Sequence, residues 1–209
     1  MKKFIITFLF LFLICTNTNA NEIVNKNIKD IQKIEGYLNT VKYFSSNFIQ
    51  NDNISNVLSE GKFYLSRPNK LRLEYKNPSE ILLITNNKST VYYDVELDEL
   101  TKIPTKKTPI HFLTQDKFDF QNDKMEVVDF SKKENEMILS LVEKGNEKQG
   151  SISLIFQKKP MQLQGISVKN ELGQEIIINF HSIVVNSQVQ DKLFVFKNPK
   201  SIEEIKDRY

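Results

Sequence analysis

The sequence predicts a mainly β, single-domain protein with helices, of the antiparallel sandwich or barrel class. Three observations carry this. The period of the apolar positions drops from about 3.6 residues to 2 after Phe44. Short alternating runs then recur at roughly 10–15-residue spacing, with polar turns between them. No internal repeat and no Pro/Gly/Ser linker divides the chain, so residues 21–209 read as one domain.

Residues 1–20 come first and read as an address. Lys2 and Lys3 precede an apolar run over residues 4–14, and Thr18-Asn19-Ala20 closes it with a small-x-small end. That is the pattern of a cleaved secretory signal peptide, and the run is too short for the roughly 20 residues a bilayer requires. Cys15, the single cysteine, follows Ile14, whereas lipid attachment to a leader cysteine wants a small residue there. The mature chain is therefore expected to lack thiol and disulfide chemistry. Export without disulfides fits a bacterial periplasm.

Residues 23–44 follow as a helix. Val24, Ile28, Ile31, Ile34, Leu38 and Val41 form one stripe at steps of three and four. The opposite face mixes Lys26, Lys29, Asp30, Lys33 and Glu35, so the stripe is read as packing on a sheet rather than on a membrane. Strands are then expected at residues 62–65, 70–75, 81–84, 90–95, 125–130, 137–142, 151–157, 161–168, 175–180 and 192–196. Residues 104–122 break the rhythm. Thr108 and Pro109 can open a short helical turn carrying Ile110, Phe112 and Leu113, and a connection of that length is either a crossover loop or a functional lid.

Charge and motif content exclude several classes. The 29 basic and 26 acidic residues leave +3, and +1 without Lys2 and Lys3, too balanced for a nucleic-acid binder. His111 and His181 lie far apart, with no HExxH or CxxC spacing, so no metal site is expected; no cofactor loop or nucleophile elbow occurs either. His111 reads as a helix-surface residue and His181 as a partly buried strand end. No constellation argues for an enzyme, although a secreted hydrolase on a β scaffold stays open as a rival.

What the sequence offers is apolar surface. Phe63 and Leu65, then Leu71, Leu73 and Tyr75, then Ile152, Leu154 and Phe156, then Ile176, Ile178 and Phe180 each line one face of a strand. One helix covers only part of so long a sheet. Either the sheet closes on a filled core or it cups a cavity for an apolar ligand.

An ordered set of motifs resembles a known family. Phe48-Ile49-Gln50, Gly61 through Leu65, Arg67-Pro68, Leu71 through Tyr75, Tyr92-Tyr93-Asp94, Thr108-Pro109 with Leu113, and Phe194-Val195-Phe196 with Pro199 and Asp207 resemble the periplasmic outer-membrane lipoprotein carriers of the LolA family. Leu73 and Tyr92 stand where many members carry Trp, and Asn87 replaces a turn glycine. The resemblance implies an open, curved antiparallel half-barrel with a helical lid. It implies a monomeric chaperone that takes lipid-modified proteins from an inner-membrane ABC release complex and delivers them to an outer-membrane acceptor or to the membrane itself. A related half-barrel that carries another lipid or senses envelope stress is the alternative. By the same resemblance Arg67 latches the lid through its backbone carbonyls. Leu71, Leu73, Tyr75, Ile84, Tyr92, Ile110, Phe112 and Leu113 line the acyl cavity and lid.

Overall fold

The structure, a computed structural model, describes residues 20–53, 57–86, 88–121, 124–145 and 150–199. The signal-peptide expectation at residues 1–20 therefore lies almost wholly outside the described residues.

Helix α1 spans Ala20–Thr40. It stops short of the expected Phe44 because β1 (Tyr43–Asp52) has already begun its alternation. Asn186 holds the junction: its side-chain oxygen accepts from the Lys42 and Tyr43 amides, and its Nδ2 donates to the Thr40 carbonyl. β2 (Leu58–Ser66), β3 (Lys70–Asn77), β4 (Ile81–Thr85), β5 (Ser89–Asp94) and β6 (Glu99–Pro104) continue the first meander. β7 (Met125–Lys132), β8 (Glu136–Glu143), β9 (Gly150–Lys158), β10 (Met161–Asn170) and β11 (Glu175–Val185) form the second.

All eleven strands belong to one open antiparallel sheet, in the order β6-β5-β4-β3-β2-β1-β11-β10-β9-β8-β7. The two meanders are joined where β1 pairs with β11. β6 and β7 are adjacent in sequence yet form opposite edges, which in a flat sheet would lie about 48 Å apart at ~4.8 Å per strand. The chain between them crosses one face of the curved sheet as a strap.

Cross-strand register defines that concave face. Phe44, Leu65 and Leu71 share one row; Phe63, Leu73, Leu83 and Tyr92 share the next. On the other meander Phe180 and Ile178 lead to Ile166, Leu154 and Leu139. Apart from Tyr92, which stays partly exposed, and Leu83, which packs half-buried against them, these residues form one core with Ile31, Ile34 and Leu38 of α1. Asp30 ties α1 to β7 through Lys132, and Tyr37 packs edge-on against Phe156 at 5.9 Å. Gly61 is required here: a Cβ would meet the Glu74 carbonyl at 2.0 Å and the Phe48 ring at 2.9 Å. Its absence lets Phe48 reach across β2 to Tyr75, with ring centroids 5.1 Å apart.

The expected strand at 192–196 is not one. Residues Asp191–Phe194 form a 3₁₀ turn, and the chain from Asp191 to Asn198 lies over the convex side of β3–β5. His181 likewise differs from expectation, being exposed within β11 rather than half-buried at its end.

Candidate functional site

The strap comprises residues 105–121. Thr105–Lys107 and Pro109–Thr114 are 3₁₀ turns, η1 and η2. Pro109 stands at the first turn of η2 as expected, but Thr108 does not cap it with its side chain. Instead its hydroxyl donates to the Thr105 carbonyl at 2.7 Å.

Phe112 and Leu113 face down into the core, Phe112 being 2% exposed. Phe118 and Phe120 complete an aromatic cluster, with Phe112–Phe118 centroids 5.2 Å apart and Phe118–Phe120 6.1 Å apart. These two rings were not singled out from sequence. Their only sign was the spacing of two within Lys117-Phe118-Asp119-Phe120-Gln121, a strand-like alternation inside a loop. The side chain of Ile110 lies outside the described residues.

Backbone groups of the strap are held by side chains of α1. Asn39 accepts from the Phe118 amide at 2.8 Å and donates to the Phe118 carbonyl at 3.0 Å. Glu35 accepts from the Phe120 amide at 2.9 Å. At the other end the Asn69 amide, from the β2–β3 turn, donates to the Thr114 carbonyl at 2.7 Å. Asn69 has φ +70°, a left-handed conformation that asparagine tolerates, so this residue type fits the hairpin that makes the tie.

Arg67 is only 6% exposed. Its Nη1 donates to the Leu38 carbonyl in the last turn of α1 at 2.5 Å, and its guanidinium lies 4.7 Å from the Phe118 ring centroid. The acceptor thus belongs to α1, and the strap is touched through an aromatic face rather than through its carbonyls. The physical reason is that the final carbonyls of a helix lack intrahelical partners and draw cations. Among the described residues Nε has no hydrogen-bond acceptor. Burial pulls this guanidinium down to about 10, still cationic at neutral pH.

Of the remaining expected site residues, Leu71, Leu73 and Tyr75 lie on the concave face of β3, and Tyr92 lies on the same face of β5 at 37% exposure. Tyr75 donates to Gln50 at 2.7 Å, and burial pushes its phenol up to about 12. Ile84 is a correction. It pairs with Arg72 and Val91, whose side chains point to the convex side, and it is 1% exposed there. Its neighbour Leu83 takes the concave position between Leu73 and Tyr92.

One partly enclosed cavity of about 190 Å³ remains between strap and sheet. Phe112 and His111 border it from the strap, Met125, Leu141, Ile152 and Val168 from the sheet. Among the described residues no group of three His, Cys, Asp or Glu is arranged to hold a metal ion, and no helix is long and apolar enough to cross a membrane.

This arrangement is a lidded, open β half-barrel whose concave face is apolar. Residues 39–197 match the family model of the outer membrane lipoprotein carrier protein LolA. The chain belongs to the LolA family. Among its relatives, an outer-membrane lipoprotein carrier protein of Legionella pneumophila is 27% identical over 94% of this chain and 98% of its own length. One of Coxiella burnetii is 29% identical over 71% of each. Among solved structures, a LolA superfamily protein of Nitrosomonas europaea aligns with a TM-score of 0.46 at 9% identity, covering 79% of this chain and 97% of its own.

Proposed function

We propose that the chain is a periplasmic carrier that shelters the acyl chains of lipoproteins on its concave face, without catalysis. It receives them from an inner-membrane ABC release complex and passes them, as a monomer, to an outer-membrane acceptor or to the membrane. Residues 1–20 act as the export signal and are removed before Asn21.

The observation that carries this reading is an apolar half-barrel face covered by a strap rather than closed by strands. Burying one CH₂ is worth about 0.8 kcal/mol, so a lipid-modified protein needs such a shelter to cross water. The existing cavity does not suffice. At 190 Å³ it is close to the ~150 Å³ engineered cavity that takes one benzene. Acyl chains therefore enter only when Phe112, Leu113, Phe118 and Phe120 move off the sheet. Leu71, Leu73, Tyr75, Leu83 and Tyr92 then become the floor on one side.

Arg67 sets the balance between the two states. Its bond to Leu38 fixes the guanidinium against α1, its contact with the Phe118 ring favours the covered form, and cargo competes with that ring contact. The test is to purify the mature protein from its host and extract its ligand. Mass spectrometry should find acylated peptides. Recovery of only free lipids, or of a processed product, would overturn the reading.

A further inference from the structure

The end of the sheet beside Arg67 has a feature that lipid carriage leaves unused. An open cleft of about 620 Å³ lies between the start of β1, the β2–β3 hairpin and the β4–β5 turn. Four cationic side chains line it: Lys42, Arg67, Lys70 and Lys88. Lys70 pairs with Asp191 at 2.8 Å, the one carboxylate in the lining, and that aspartate is itself largely exposed. Lys42 sits 5.4 Å over the ring of Tyr43. Neither Lys42 nor Lys88 has an ion-pair partner among the described residues.

Arg67 supplies a second, independent observation. Its side chain is more than nine-tenths buried, yet among the described residues its Nε–H has no acceptor. A buried guanidinium with a donor left over by the protein's own acceptors keeps its positive charge beside the cleft. Among the described residues, Asp116 is the carboxylate whose charge acts on this guanidinium. Two carboxylates thus oppose four cations, and the cations come from three separate elements.

We infer that this cleft is a binding site for a tetrahedral oxyanion, phosphate in particular. The phosphate is carried on an anionic phospholipid headgroup or is free in solution. Donors converging from three directions suit a tetrahedral group better than a planar carboxylate. Arg67 holds a buried positive charge beside the cleft, and the exposed Lys42 and Lys88 ammoniums close on the anion as point charges. The site adjoins Asn69, whose amide holds the strap at Thr114, so occupancy is registered where the strap is tied.

This inference does not rest on lipoprotein cargo, and its test uses none. The side-chain Nε–H resonance of Arg67 in ¹⁵N-labelled full-length mature protein, assigned by its loss in Arg67→Lys, reads the site directly. Inorganic phosphate is titrated in one arm and dihexanoyl phosphatidylglycerol, below its micelle concentration, in another. Potassium chloride at matched ionic strength is the control. At least one phosphate probe should shift the resonance saturably, while chloride leaves it in place. The double variant Lys42→Gln/Lys88→Gln, at two exposed positions, should bind roughly tenfold more weakly. Equal binding of both probes assigns free phosphate, and binding of the lipid alone assigns the headgroup. No saturable shift with either probe, or unchanged affinity in the double variant, would overturn the inference.

Discussion

The sheet is covered on both faces, and the two covers are built differently. On the convex side Ile84, Val91, Tyr93 and Phe194 are all buried, and Phe196 meets Tyr93 at 5.1 Å. The polar groups there are matched: Tyr93 bonds Asp98 and Asn198, Arg72 donates to the Leu193 carbonyl, and Lys70 meets Asp191. On the concave side the strap leaves a 190 Å³ cavity beneath it, and beside Phe118 the Arg67 Nε has no acceptor among the described residues. A filled and satisfied cover is part of the fold. A cover with a void beneath it has given up part of its contact energy, and on the proposed carrier reading it is the one that lifts. On that reading the same apolar chemistry serves structure on one face and exchange on the other.

Four changes sharpen or break this contrast, from the largest effect to the smallest. Phe194→Ala should cost about 3–5 kcal/mol in unfolding free energy, since a buried ring leaves a hole in a satisfied layer. Denaturant titration measures it, and binding of a fluorescent acyl probe by the folded fraction should be unchanged. Phe112→Ala should cost about 3 kcal/mol or less, because the ring already borders a cavity, and it should raise the association rate of the probe. A loss of probe binding would mean that Phe112 holds the ligand rather than excludes it.

Arg67→Leu should barely move the melting curve. It removes a charge-assisted bond worth about 1.5–3 kcal/mol but also the cost of burying the charge. Opening of the strap, read as exchange of the Phe118 amide, should rise by at least about tenfold. Arg67→Lys should show a milder form, since an ammonium cannot both stack on Phe118 and reach Leu38 as a planar group does.

The smallest effect is alkaline. Tyr75 on the concave face is raised to about 12 by burial, and Tyr93 on the convex face to about 12, first by its bond to Asp98 and then by burial. Both phenols hold their protons more tightly folded than unfolded. Their stabilisation is complete below pH ~10 and is lost as pH rises through about 12. Tyr75→Phe and Tyr93→Phe should each flatten the fall in stability over that window, measured by urea unfolding at pH 9 to 12.

How far the sequence could be read follows the same physics. The helix stripe and the strands with charged-apolar alternation, such as Lys70 to Tyr75, were legible because one face is buried and the other solvated. β6 carried no signal because all six of its residues are exposed at an edge. Ile84 was placed on the wrong face because Ile81-Leu82-Leu83-Ile84 is apolar throughout, and only the register with Arg72 and Val91 tells its sides apart. Phe194 to Phe196 alternates like a strand, yet it has no strand to pair with and serves as a cover. The 104–122 segment stood out because it breaks the period-2 rhythm, whereas Arg67 was singled out only by resemblance, which did not point to its acceptor in α1. That the segment bridges opposite edges of the sheet was not, since strand order is written in pairings rather than in any one stretch of residues.

The central claim is that the concave cover opens while the convex one stays shut. Native-state hydrogen exchange, with and without a diacylated lipopeptide, tests it most directly. The amides of Phe118 and Phe120 should exchange through an opening well below the free energy of global unfolding, and should lose protection when the lipopeptide binds. The amides of Leu193 and Asn186, in the convex cover and its root, should be unaffected by the ligand. Strap amides that exchange only with global unfolding, or a ligand response confined to the convex segment, would contradict the account.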